Sequence, residues 1–350
     1  MRPEIIAMPD IAPTIPDWSA LYAAAIEFRQ LEPWHWLYDA DIFGVKDPVS
    51  SQIGYCTVMG NLGECFAMAV YRGTAGLRCL EQIQDGEVGI GDDELIYRQD
   101  CLMASFESRQ SQAKEDLQVI KALGLKFKGS NGWPLFRCYR PGYYPWFLTQ
   151  AEAQFLTVVL QQAKDVVVRS AKNLQLTEPV DDETYFVRVP VAGDHGRAWM
   201  DTWLAPAREE KPTVPAPPLN EVRLERICQA RYPQQGEWEV DFFMISNAVR
   251  EKAERPQFPY TLLCMDRQTS LMLMSQLALP AQYRQEFPEH IFTVIAQQKT
   301  IPKIIYVCRR EAKELLKPIA ERLHITLKTT RVLPLVQYGK AALLGHLERY

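Results

Sequence analysis

No stretch of this sequence stays apolar for long. The strongest run, Phe155 to Leu160, is six residues with Thr157 inside it. A membrane-crossing helix needs about 20 apolar residues, so a helical membrane protein is excluded. The opening MRPEIIAMPDIAPTIPDW holds four prolines and lacks the continuous apolar stretch of a signal peptide. The chain is expected to stay in the cytoplasm where it is made.

Close cysteine pairs are missing too. Cys56, Cys65, Cys79, Cys101, Cys138, Cys228, Cys264 and Cys308 are never closer than nine residues, which excludes CxxC redox pairs and paired zinc knuckles. Most sit among apolar neighbours (TLLCMD, IIYVCRR), where cysteine acts as a small hydrophobe. Free, mostly buried thiols in a reducing compartment and no disulfide are the expectation. The five histidines are scattered, without HxxxH or HExxH, so no metal site is expected. GxGxxG after a strand, GxxxxGK[ST] and GxSxG are absent. The nearest miss, GEVGIG, follows a polar loop and precedes acids that would repel phosphate. No cofactor is expected.

What is there is ordinary globular composition, 47% hydrophobic and 23% charged over 350 residues. That length exceeds what one core organises, so two domains are expected. The boundary is PAREEKPTVPAPP, Pro206 to Pro218, with five prolines in thirteen residues. It reads as an extended linker. An α+β domain over 1–205 is thus joined through 206–218 to an α/β domain over 219–350. Residues 1–218 carry 20 Lys+Arg against 29 Asp+Glu, net −9, and residues 219–350 carry 19 against 14, net +5. Three readings stay open: the halves dock on each other, the basic half meets an anionic partner, or the asymmetry means nothing. A net of +5 over 132 residues is mild for a nucleic-acid domain.

The first domain is expected to have hairpins and helices. Asp17 is the expected N-cap of a helix to Leu31, ended by Pro33. GYCTVMG and ECFAMAVY flank the turn Asn61-Leu62-Gly63 as a hairpin. A short helix follows over 77–83. The acids Asp85, Glu87, Asp92, Asp93 and Glu94 invite a calcium reading but lack the EF-hand spacing, so they read as a solvated loop. A strand over 95–107 and a helix over 113–123, ended by Gly124, come next. Thr149-Gln150-Ala151-Glu152 is a capping box opening a helix with Phe155, Leu156, Val159, Leu160, Ala163 and Val167 on its buried face. A last hairpin pairs 185–191 with 197–204.

Two features could carry function. In Ser130 to Leu148, Trp133, Phe136, Tyr139, Tyr143, Tyr144, Trp146 and Phe147 interleave with Arg137 and Arg140. Arg137, Arg140, Tyr143, Tyr144 and Trp146 could stack a base or ring. The plainer reading, which we favour, packs the aromatics under the Thr149 helix. In Trp34-His35-Trp36, taken as extended, the tryptophans face one way and His35 the other. No partner for His35 can be named, so packing is favoured here as well.

The second domain is expected to run β, β, β, α, β, α, β, α as a mixed sheet with helices. Its strands pass through Val240, Leu263, Leu273, Ile305 and Ile325, with the helix over 281–298 interrupted before Pro288. That order, with WEVD on the first strand and CMDRQTSLML as a hairpin, resembles the ribonuclease H-like core of integrases and transposases. The resemblance implies that Asp241 stands at the first catalytic aspartate. It then breaks down: Ile304 to Arg310 holds no carboxylate before Glu311, and the place of the third acid holds Leu343, Leu344, Gly345 and His346, with Glu348 beyond. Two-metal phosphoryl transfer needs several carboxylates holding cations roughly 3.5–4 Å apart, so the resemblance implies a disabled site. Taken whole, GYCTVMGNLGE, FRCYRPGYYPW and the WEVD…LLCMD…IPKIIYV succession resemble an uncharacterised bacterial two-domain family.

A non-catalytic binding or interaction protein, with a protein or an anionic molecule as partner, is the leading expectation. A divergent metal-dependent nuclease or nucleotidyltransferase of ribonuclease H-like type is the alternative.

Overall fold

The computed structural model describes residues 11–86, 97–179, 181, 183–193, 196–208, 219–250 and 254–347. Its contacts divide the chain into two compact units, one of residues 1–141 and 145–210, the other of 142–144 and 211–350. Residues 209–218 of the expected linker lie outside the described residues, as do those at 87–96 of the acidic loop. No described helix is long and apolar enough to cross a membrane.

In the first unit, α1 (Ile15–Gln30) and α4 (Gln150–Ser170) pack on one face of a sheet. Its strands are β1 (Phe43–Lys46), β2 (Ile53–Met59), β3 (Ala67–Arg72), β4 (Cys101–Glu107), β5 (Trp133–Arg140), β6 (Tyr143–Trp146), β7 (Tyr185–Gly193) and β8 (Gly196–Leu204). They lie in the order β6-β5-β4-β3-β2-β1-β7-β8. β1 pairs antiparallel with β2 and parallel with β7. Side chains alternate between faces, as the strand period of two requires. Cys56, Val58, Met68, Val70, Leu102 and Phe136 point to the α1/α4 core. Tyr55, Ala69, Tyr71 and Cys101 point the other way, to the core under α2 (Gly73–Gln84). Helix α3 (Lys114–Ala122) adds Ile120 to the larger core.

Several expectations are corrected. Helix α1 starts earlier than read: Thr14 is its N-cap, and Asp17 sits at the third helical position, completing a capping box. Thr-x-x-Asp lets both side chains satisfy orphan backbone donors, which Asp17 alone could not. Pro33–His35 is a short 3-10 turn rather than extended chain; proline is pre-organised for a first helical position. Strand β4 starts at Cys101, after residues 97–98 in a helical turn, while α2 begins at Gly73.

The second unit holds β9 (Glu237–Met244), β10 (Tyr260–Asp266), β11 (Met272–Ala278), β12 (Ile304–Val307) and β13 (Thr326–Thr329). Their order is β11-β10-β9-β12-β13. The first three form an antiparallel meander, and β12 lies parallel to both β9 and β13. On one face Trp238, Val240, Phe242, Leu262, Ile305 and Val307 meet α5 (Glu221–Gln229), α6 (Tyr283–Gln298) and α7 (Arg310–Arg322). On the other, Phe243, Leu263 and Met265 meet α8 (Pro334–Leu347) through Val336. Helix α6 is not interrupted: Pro288 lies inside it, buried on its packed face. Tertiary burial there outweighs the hydrogen bond that proline forfeits.

Candidate functional site

The WEVD strand puts Glu239 and Asp241 on the same face, two residues apart, beneath α8. Both are deeply buried, at 1% and 4% exposure. Burial on this scale is costly for a carboxylate unless partners compensate. Glu239 Oε2 accepts the Leu335 N–H at 2.9 Å and the Val336 N–H at 3.2 Å, so it caps the start of α8 from within the sheet. Its other oxygen lies 3.5 Å from Arg267 Nε.

Asp241 is held from the neighbouring strand. β12 pairs with β9 with Tyr306 opposite Glu239, which carries the next residues past Asp241. The Cys308 thiol donates to Asp241 Oδ2 at 3.2 Å, and Arg309 Nε lies 3.3 Å from the same oxygen. Asp241 Oδ1 is buried without a hydrogen-bond partner. Burial raises the Asp241 pKa, and Arg309, Cys308 and the Phe242 N–H only partly oppose it. The Cys308 thiol is pushed up to about 11 by burial and by the Asp241 charge. A hydrogen-bonding thiol and a guanidinium therefore stand beside the aspartate. This group can hold one strand against another; it offers no second carboxylate to share a cation.

The other acids of this unit serve elsewhere. Asp266 Oδ1 accepts the Gln268 and Thr269 N–H groups and ties the β10–β11 turn. Glu311 Oε1 accepts from Tyr283 Oη and pairs with Arg284 at 2.7 Å. Glu348 lies outside the described residues. Among the described residues no group of three or more His, Cys, Asp or Glu side chains could hold a metal ion.

The arginines of the aromatic segment are engaged inside their own unit. Arg137 grips Asp116 with both terminal nitrogens, at 3.0 and 2.6 Å, and lies over the Phe147 ring. Arg140 donates to Glu152 Oε1 at 3.0 Å. Trp146 packs edge-on against Phe147. Tyr143 and Tyr144 are counted with the second unit, where Arg255 lies over the Tyr143 ring and Tyr144 packs against Phe258. Tyr144 is the more exposed of the two, at 48%. His35 is exposed, with its Nε2 3.6 Å from Glu32.

A cluster not foreseen lies at Glu152. Arg72 donates to Glu152 Oε1 at 2.8 Å, Cys138 donates to it at 3.0 Å, and Arg72 also pairs with Asp100. The Thr149 N–H closes the capping box on Oε2. Burial pushes Glu152 up, but the Thr149 N–H, Cys138, Arg72 and Arg140 together hold its pKa at about 2. Arg72 and Asp100 border a cleft of about 440 Å³ with Gln52, Tyr55, Thr74 and Arg208. No local pattern announces this cluster, because Arg72 and Glu152 are 80 residues apart.

Residues 18–188 match the model of one domain of unknown function (DUF7309), and residues 223–344 match that of a second (DUF6930). No curated protein matches the chain. The two matches fall on the two sides of Pro206–Pro218, so the chain has two domains, each of unknown function.

Proposed function

We propose that this is a non-catalytic binding or interaction protein whose second domain is ribonuclease H-like, with its first acidic position given over to a structural ion pair. The observation that carries the reading is Arg309 Nε at 3.3 Å from Asp241 Oδ2, with Cys308 on the same oxygen. A guanidinium tethered there supplies the positive charge that a catalytic metal would otherwise bring. The strand order β11-β10-β9-β12-β13, with β12 parallel to β9 and β13 parallel to β12, supports the fold reading. Glu239 is already spent on the α8 backbone, so it adds no ligand. Domains of 1–205 and 219–350 joined through 206–218, in a bacterial cytoplasm that keeps the eight thiols free, complete the proposal. Since Arg137 and Arg140 are engaged internally, the contact surface for a protein or anionic partner belongs on the second domain.

The test is thermal unfolding of the whole chain with and without millimolar magnesium or manganese, on wild type and Asp241→Ala. A ligand that binds only the native state raises the melting temperature. No metal-dependent rise is expected. A clear rise that disappears in Asp241→Ala would restore the nuclease alternative.

A further inference from the structure

Among the described residues the two sheets have four edges, and three are guarded by length, proline or charge. β13 is four residues long and carries Lys328. β6 is four residues long with Pro145 inside it. β8 is charged at Asp201, which pairs with Arg169. Short length, lysine, proline and charge are the usual means of keeping an edge from pairing with another chain. β11 has none of them: it is seven residues long, and Leu271 to Leu279 contains neither charge nor proline. Leu271, Met272 and Leu277 are 62%, 42% and 51% exposed. A bulge at Leu273, a further device against edge pairing, is confined to the start of β11, and it leaves Met274 to Ala278 in a regular ladder with β10.

We propose that β11 is a self-association edge, at which β11 of a second copy of this chain pairs antiparallel and joins two five-stranded sheets into one. A strand pairing with itself about a two-fold axis meets its own sequence in reverse. With the axis at Gln276, inside the regular part of the ladder, Ser275 faces Leu277 and Met274 faces Ala278, and no charge meets its like. Like charges directly opposite each other would destabilise the pairing. The strand is therefore complementary to itself, and its backbone row supplies the hydrogen bonds that strand addition uses. The exposed Leu277 is covered in the same step. This inference stands apart from the fate of Asp241.

The experiment is light scattering and sedimentation of the full chain over a concentration series, with hydrogen exchange at residues 272–278. A species of twice the chain mass is expected to grow with concentration, with amide protection on β11 rising alongside it. Leu277→Lys and, separately, Gln276→Lys change exposed positions and set like charges near each other across the axis. Each is expected to return the protein to a monomer with its melting temperature unchanged; should one misfold, the other carries the test. A wild type that stays monomeric throughout would overturn the proposal. So would a dimer that persists in a folded lysine variant, or one that forms without added protection on β11.

Discussion

Glu239 Oε2 lies 2.9 Å from the Leu335 nitrogen, so the middle of β9 caps the first turn of α8 across 96 residues of chain. The carboxylate satisfies two of the helix's orphan N–H groups and faces the positive end of its dipole. Glu239→Ala leaves those donors buried and unpaired, which costs about 2 kcal/mol. Glu239→Gln keeps an acceptor and loses the charge, which costs about 1 kcal/mol. Urea unfolding of the three proteins should rank them in that order. Equal midpoints would mean that the cap contributes nothing.

Glu152 should govern acid stability in the first domain. Its folded pKa is about 2 against an ordinary 4.5. A depressed carboxylate stabilises the fold above the unfolded pKa, and that contribution fades as the pH falls from about 4.5 toward 2. The shift corresponds to about 3 kcal/mol at neutral pH. Glu152→Gln should lose most of that at pH 7, and the gap to wild type should close with acidification. A gap independent of pH would assign the loss to packing.

Asp241 carries the opposite sign. Its pKa is raised, burial being the largest cause, so the native state binds the proton more tightly than the unfolded chain does. Its contribution therefore falls as the pH climbs from the unfolded value through the folded one. Asp241→Asn should gain on wild type in unfolding midpoint between acidic and neutral pH. The same change removes the charge that helps hold the Cys308 thiol at about 11, so alkylation of Cys308 should quicken. Mass spectrometry of partly alkylated protein reads that rate, with the exposed Cys228 as internal reference. An unaltered Cys308 rate would separate the thiol from Asp241.

Gly54 on β2 lies directly beneath α4. A Cβ there would stand 2.6 Å from Val70 Cγ1 and 2.9 Å from Phe155 Cζ. Gly54→Ala should cost about 1–3 kcal/mol by overpacking. Phe155→Leu should relieve part of that cost, so a double-mutant cycle in chemical denaturation should show coupling. Strictly additive effects would mean that the clash is taken up elsewhere.

What could be read beforehand was what neighbouring residues decide. Thr149-x-x-Glu152 announced its helix because both halves of the box sit within four residues. The near-continuous apolar run at Ile304–Val307 is what an interior strand shows, and β12 lies between β9 and β13. Thr14 and Asp17 form the same kind of box, and the cap is Thr14, three residues before the Asp17 expected from sequence. Arg137 and Arg140 looked like ligand-stacking groups because their acids, Asp116 and Glu152, come from other elements and only folding brings them near. Glu239 escaped notice for the same reason. Its neighbour Asp241 had a family pattern to single it out, whereas a cap 96 residues away leaves no local trace.

The parallel ladder between β1 and β7 sets Gly44 beside Val187, and a Cβ on Gly44 would come within 2.8 Å of Val187 Cγ2. During synthesis β1 to β5 can assemble by neighbour-to-neighbour pairing as each strand emerges. The outer side of β1 has no partner until residues near 187 have been made, more than 140 positions later. Long-range pairings of this kind form late. A nascent first domain released before that point would carry an open strand in what becomes the interior of its sheet, and such edges are where unfinished chains stick together. Truncation between β6 and β7 should therefore yield aggregate rather than a smaller folded domain.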